Sequence, residues 1–325
     1  MAPKPINLVL DWDGTITTKD TMFAYGKVAD IRDARLGKTP TGTATFKGFG
    51  NAWMDDYTVH EKYYTPKAED RRQTSQESAW LKSLSVVEDS SAERVESSTF
   101  FAGVTLQDVS DAAKILLESG EVSLRTGWED VFSRAFKDSI SQSHRDRGIP
   151  GFGVSILSVN WSESFIRRSL MAAASSSLLA VDGGLEDLIN GNIKITANEI
   201  SGLQRINGSS GLLTDPDHAT VRTSFDKLHN FKAIDGSHNI YVGDSATDFD
   251  CLLAADLGIC IRDADMGSSA KTLADTLSRV GYIVRHVSEI ASWQEVNSES
   301  NLLWASDFKE IMNLLERLQE SDDRV

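Results

Sequence analysis

Apolar residues in this chain gather in short compact runs, separated by stretches with helical spacing. The first run, residues 6–10, ends directly in Asp11-Trp12-Asp13-Gly14. Others follow at residues 154–159, 193–200, 240–242, 259–261 and 282–287. Runs this short, interleaved with helical patterns, predict the buried strands of a parallel sheet. Helices are predicted over residues 163–170, 226–234 and 248–255. A last helix starts after Ser306, a residue type suited to an N-cap, with Phe308, Ile311, Leu315 and Leu318 on one face. The tract 18–149 has no strand-like run; it is polar and helical in pattern, with aromatics such as Tyr25, Trp53, Tyr57, Trp80 and Phe132. Within it, the Ser-rich stretch 83–99 predicts a loop-rich segment. The pattern thus divides the chain into an α/β core, residues 1–17 and 150–325, and a helical insert, residues 18–149.

Composition adds exclusions. The chain has 325 residues, 40% hydrophobic and 25% charged, which is ordinary globular usage with enough length for more than one folded unit. The net charge of −15 supplies no cationic surface for a phosphate backbone, so no nucleic-acid partner is expected. The charge is uneven: residues 18–150 carry 18 basic and 21 acidic side chains, residues 151–325 carry 14 and 25. No run reaches membrane-spanning length, and the first run is too short for a signal-peptide core. Two cysteines, Cys251 and Cys260, make neither a disulfide framework nor a zinc pattern. A cytoplasmic or nuclear protein without a membrane partner is the expectation; the sequence names no protein partner.

Chemistry concentrates at the ends of predicted strands. Asp11-Trp12-Asp13-Gly14-Thr15 follows the first, where open α/β folds place ligands. Val242-Gly243-Asp244-Ser245-Ala246-Thr247-Asp248 follows another. Carboxylates converging there repel one another unless a cation neutralises them, and an oxygen-only donor set favours Mg²⁺. Ser158, at the end of a third strand, offers a hydroxyl to a phosphoryl oxygen. Lys227 opens a predicted helix seventeen residues before Asp244 and offers charge neutralisation, with Lys232 as its competitor. Gly37-Lys38-Thr39 is not a P-loop, because Arg32 stands at the required first glycine and no strand precedes it.

Together these four pieces resemble the haloacid dehalogenase (HAD) superfamily, whose signatures run in the same order. The resemblance implies a Rossmann-like parallel sheet with a helical C1 cap inserted after the first strand, as in phosphoserine-phosphatase-type members. It implies Asp11 as nucleophile, Asp13 as general acid and base, and Ser158 and Lys227 as phosphoryl ligands. Mg²⁺ would be held by Asp11, the backbone carbonyl of Asp13, and Asp244, with Asp248 orienting Lys227. Thr247 stands where that subgroup often has Asn, a departure from the phosphoserine pattern. Ile156-Leu157-Ser158-Val159-Asn160-Trp161-Ser162, the Ser-Phe-Asp-Lys stretch and Cys-Leu-Leu-Ala-Ala-Asp-Leu-Gly-Ile look like fungal HAD-like hydrolases and the HAD domain of plant thiamine monophosphate phosphatases. That likeness implies thiamine monophosphate or a related small phosphomonoester as substrate, and Asn160 and Trp161, just past Ser158, are expected as substrate-binding residues. The rival readings are a non-catalytic HAD-fold binding or regulatory module, and a phosphotransferase to an acceptor other than water. A carbon–halogen dehalogenase is disfavoured, since that chemistry needs neither Mg²⁺ nor the second aspartate of the first loop.

Overall fold

Alternation within the first apolar run sets the architecture. In the computed structural model, which describes residues 4–139, 151–176, 184–299 and 301–322, strand β1 (Ile6–Leu10) is buried at every position. Ile6, Leu8 and Leu10 point into one core and Val9 into another on the opposite side. A strand buried on both faces belongs at the centre of a sheet covered by helices, and β1 lies there. It pairs in parallel with β2 (Phe152–Leu157) on one side and β4 (His238–Gly243) on the other. With β3 (Lys194–Thr196), β5 (Leu257–Ile261), β6 (Arg285–His286) and β7 (Leu302–Ala305), the order is β3-β2-β1-β4-β5-β7-β6. Every pairing in the sheet is parallel. This is the expected Rossmann-like α/β fold. The winding reverses between β1 and β4, and the crevice at their carboxyl ends is the topological switch point.

Three strands depart from the sequence reading. The run 193–200 forms a strand only over Lys194–Thr196. Beyond it, Asn198 leaves the ladder: its side-chain amide donates to the carbonyls of Val159, Asn160 and Val221. The run 282–287 shrinks to Arg285–His286 at the sheet edge. Leu302–Ala305 was not predicted, yet it sits between β5 and β6; four residues against a Ser/Asn-rich background give too little periodicity to register.

The insert is helical, with α1 (Ala24–Arg35), α2 (Gly42–Tyr63), α3 (Thr74–Ser83), α4 (Ser85–Ser97) and α5 (Leu106–Glu118). The stretch 83–99, expected to be loop-rich, is largely α4. Val87, Ala92 and Val95 give it a buried face, and its serines stay helical by bonding backwards, as Ser90 Oγ does to the Val86 carbonyl at 2.8 Å. The insert has its own core, in which Tyr25, Val28, Phe101 and Leu116 meet Phe165 and Leu203 from the remainder of the chain. Helix α6 (Trp128–Ser139) falls within the tract 18–149 but packs on the sheet through Trp128, Val131, Phe132 and Ala135.

Helix α7 (Glu163–Ser176) follows β2, and α8 (Ser224–Asn230) precedes β4. Then come α9 (Phe249–Ala254), α10 (Ser268–Arg279), α11 (Trp293–Glu299) and α12 (Phe308–Asp322). Helices α6, α7 and α12 cover the face of Leu8, whereas α9 and α10 cover that of Val9. The expected face of the last helix, Phe308, Ile311, Leu315 and Leu318, is fully buried. Its cap is Asp307 rather than Ser306: Asp307 Oδ1 accepts from the Glu310 amide at 2.9 Å. Among the described residues no helix is long and apolar enough to cross a membrane. Both cysteines are free and buried.

Candidate active site

Each chemical residue stands just beyond a strand or near a helix start at the switch point. Asp11 ends β1, and its amide donates to the Val242 carbonyl at 2.9 Å, carrying the loop toward β4. Gly14 turns that loop in the left-handed region, φ 72°. A side chain there would also overlap the Asp244 carboxylate, so glycine is needed twice over. Ser158 follows β2, and its amide donates to the Thr196 carbonyl at 3.0 Å. Lys227 is placed by α8, which begins at a capping box of Thr223 and Asp226.

The Lys227 side chain is fully buried. Its ammonium donates to Asp11 Oδ1 and to Asp248 Oδ1, both at 2.7 Å. Lys232, the competitor, reaches, among the described residues, only the His229 carbonyl at 3.4 Å, near the surface. Asp248 is saturated. Besides Lys227 it accepts from the Tyr241 hydroxyl at 2.7 Å, and its other oxygen accepts from the amides of Asp244 and Ser245 and from the Ser245 hydroxyl. Gly243 permits this packing, since a Cβ there would overlap Asp248.

Carboxylate oxygens of Asp11, Asp244 and Asp248 lie within 4.8 Å of one another. With Asp248 fully engaged, Asp11 and Asp244 are the two free to bind a cation. Among the described residues, Asp244 accepts only a long contact from the Thr15 hydroxyl, at 3.4 Å. The electrostatics point the same way. Burial, reinforced by Asp248, pushes Asp11 up to about 8 even though Lys227 pulls it down. Burial and then Asp248 hold Asp244 well above the aspartate range. For Lys227 burial disfavours the charge, but Asp11 and Asp248 more than offset it and raise the group. The cluster is short of positive charge, and its donors are oxygens only; these residues fit a hard divalent cation.

Asp13 is held differently. Its Oδ1 accepts from the Thr21 amide at 2.7 Å and the Thr21 hydroxyl at 2.6 Å, and its Oδ2 from Asn160 Nδ2 at 2.8 Å. Burial, aided by Asp20, raises it to about 6 against those three donors. Ser158 is buried, and its hydroxyl oxygen accepts from the Asn160 amide at 3.1 Å.

Two further expected substrate-binding residues are Asn160 and Trp161. Asn160 is 0% exposed and faces Asp13, not open space. Trp161 packs at the margin of the insert's core, its ring centroid 5.7 Å from that of Phe46 and 6.0 Å from that of Tyr25. Sequence reasoning missed Thr21 altogether, and saw Tyr25 only as one of many aromatics. It also missed Arg125, 6% exposed, which donates to the Gly14 carbonyl at 2.8 Å and the Thr15 carbonyl at 3.2 Å. No pattern signals a lone arginine that binds backbone carbonyls across 110 residues of chain.

No family model matches this chain, and no curated protein matches it. Solved structures do. It is similar to a phospho-aspartyl intermediate analogue of phosphoserine phosphatase, at 13% identity and a TM-score of 0.45, covering 95% of this chain and 98% of that one. It is also similar to a substrate-bound phosphoserine phosphatase, at 11% identity and TM-score 0.42 with the same coverage. A conserved protein of unknown function from Anaerococcus prevotii aligns at 15% identity and TM-score 0.42, covering 94% of this chain and 91% of that one. Similarity at this level does not transfer an activity. The likeness to fungal and plant thiamine phosphatase sequences has no counterpart among these matches.

Proposed function

We propose that this chain is a Mg²⁺-dependent HAD-type phosphatase that hydrolyses a small phosphomonoester through an aspartyl-phosphate on Asp11. One observation carries the reading: two carboxylates two residues apart are held in opposite ways. Asp11 has one oxygen on the Lys227 ammonium, while its other oxygen accepts no hydrogen bond among the described residues. Asp13, gripped by Thr21 and Asn160, is raised to about 6. A cation between Asp11 and Asp244 would relieve the crowding that raises Asp11 and keep it ionised as nucleophile, whereas Asp13, whose oxygens are taken up by Thr21 and Asn160, stands apart from that charge and is placed to carry the proton.

The chemistry follows from the contacts. A phosphomonoester dianion repels a carboxylate, so the site must first neutralise charge. Mg²⁺ held by Asp11, the Asp13 carbonyl and Asp244 would offset the phosphoryl charge and align it for in-line attack. Lys227 and Ser158 would bind phosphoryl oxygens, with Asp248 holding the ammonium in place. The free Asp11 oxygen attacks phosphorus while Asp13 gives its proton to the leaving oxygen. Asp13, now ionised, takes a proton from the water that cleaves the aspartyl-phosphate.

The leaving group is the finer part of the proposal. Thiamine monophosphate and related metabolites head the panel on the strength of the Ser158–Ser162 and Lys227 segments. The test is phosphate release from p-nitrophenyl phosphate and that panel, with and without Mg²⁺. Wild type should turn over only with Mg²⁺, and Asp11→Asn should abolish turnover. Full activity in Asp11→Asn would remove Asp11 as nucleophile, and silence across the panel would favour the binding-module reading.

A further inference from the structure

The phosphatase reading uses Asn160 only as a ligand of Asp13 and leaves Tyr25 unused, and the hydrogen bonds of both have only one consistent direction. The Ser162 amide can only donate, and it points at Asn160 Oδ1 from 3.3 Å. The Tyr25 hydroxyl donates to the same oxygen. The side-chain carbonyl of Asn160 is thereby fixed on that side, and its NH₂ must face the other way. There Nδ2 donates to Asp13 Oδ2 at 2.8 Å and to Thr21 Oγ1 at 3.3 Å.

Thr21 is equally constrained. Its oxygen receives hydrogens from Trp12 Nε1 at 3.1 Å and from Asn160. With both acceptor sites in use, its single hydroxyl hydrogen is left for Asp13 Oδ1 at 2.6 Å. The Thr21 amide adds a second donor to that oxygen. Asp13 Oδ1 is therefore saturated, and Oδ2, with one donor, is the oxygen able to carry a proton.

The far end of this chain of bonds belongs to the insert. Tyr25 lies on α1, is 0% exposed, and its ring is wedged among Phe46, Phe101, Trp161 and Phe165. The hydroxyl cannot move unless the insert's aromatic core moves. We infer that Asn160, held by Tyr25, is a positioning residue that fixes the Asp13 carboxyl with Oδ2 toward the leaving group. The packing of the insert thereby sets the aim of the acid. This rests on the phosphatase reading and adds to it a link between cap and chemistry.

A misaimed acid costs most where the leaving group needs a proton. General acid–base catalysis contributes roughly 10²–10⁴ in rate, and a nitrophenolate departs without that help whereas an alkoxide does not. The experiment compares single-turnover release of p-nitrophenol with that of glycerol from glycerol 2-phosphate, in Mg²⁺. Wild type, Tyr25→Phe and Asn160→Ala are measured side by side. Tyr25→Phe keeps the ring and removes only the hydroxyl.

The alkyl-to-aryl rate ratio should fall roughly tenfold in Tyr25→Phe and further in Asn160→Ala. The ratio does not depend on how much enzyme is folded, because a misfolded fraction scales both rates alike. An unchanged ratio in Tyr25→Phe, with wild type active and Asp11→Asn dead, overturns the positioning role and leaves the phosphatase standing. Wild-type activity that survives Asp11→Asn overturns both.

Discussion

Lys227 shows how much depends on a single buried charge. Its ammonium sits 2.7 Å from two carboxylates with no exposed surface. Deleting one partner of such a group leaves the others charged and dry, at a cost of about 3–5 kcal/mol. Lys227→Ala should therefore lose at least about 100-fold in kcat and unfold at lower urea. Lys232→Ala should match wild type in both, because its ammonium makes only a long contact to a carbonyl near the surface. Steady-state rates with Mg²⁺ and urea titrations of the two variants decide the matter; a silent Lys227→Ala would displace it from the site. Both lysines lie in one short stretch, so spacing alone could not separate them. Lys227 lies on α8, which turns its side chain in to Asp11 and Asp248, whereas Lys232 lies past the end of that helix.

At the scale of elements, α2 and α4 meet through a carboxyl in an awkward place. Glu88 of α4 accepts from Trp53 Nε1 of α2 at 2.9 Å. Burial raises it from 4.5 to about 7, against the pull of Trp53 and Arg222. The folded state thus holds a proton that the unfolded chain gives up near its ordinary pKa. The resulting stability is fully present below about pH 4.5 and is lost as pH rises through about 7. Glu88→Gln keeps the bond from Trp53 but has no proton to lose. It should equal wild type near pH 4.5 and be more stable at pH 8, by an amount on the order of 2 kcal/mol. Urea midpoints at the two pH values test this; a parallel pH dependence in both proteins would show that Glu88 does not titrate on unfolding. The helix itself was hidden by composition. Serine-rich sequence reads as loop because serine hydroxyls compete for backbone groups, and only packing of Val87, Ala92 and Val95 decides for the helix.

For the whole molecule the question is how the insert is joined to the sheet. Entry and exit lie side by side: Thr17 bridges Leu124, and the Thr18 amide donates to the Ser123 carbonyl at 2.9 Å. Arg125 closes this junction onto the loop 11–15, reaching Gly14 and Thr15, then Ser306 at 3.1 Å and Asp263 at 2.7 Å. Arg125→Met should leave buried carbonyls unsatisfied and cost about 2–4 kcal/mol. It should also lower kcat, because the loop holding Asp11 and Asp13 loses its brace. Tryptophan fluorescence in urea, paired with single-turnover rates, tests both; a stable variant with slow chemistry would separate bracing from folding.

Local information was sufficient for much of this protein. Hydrophobic runs predicted the parallel sheet and a helical insert, and strand-end motifs marked Asp11, Asp13, Ser158, Asp244 and Asp248 as candidates, with Lys227 and Lys232 left side by side, because strand burial and loop chemistry are written in neighbouring residues. Short edge strands escaped, since two to four residues carry no period. What only the tertiary structure decided was partnership. Asn160 was expected at the substrate and lies against Asp13; Thr21, Tyr25 and Arg125 had no expected place at the site at all. Their roles depend on hydrogen-bond direction and burial between segments up to 181 residues apart, and no pattern along one strand of sequence encodes which distant polar group will be brought opposite which.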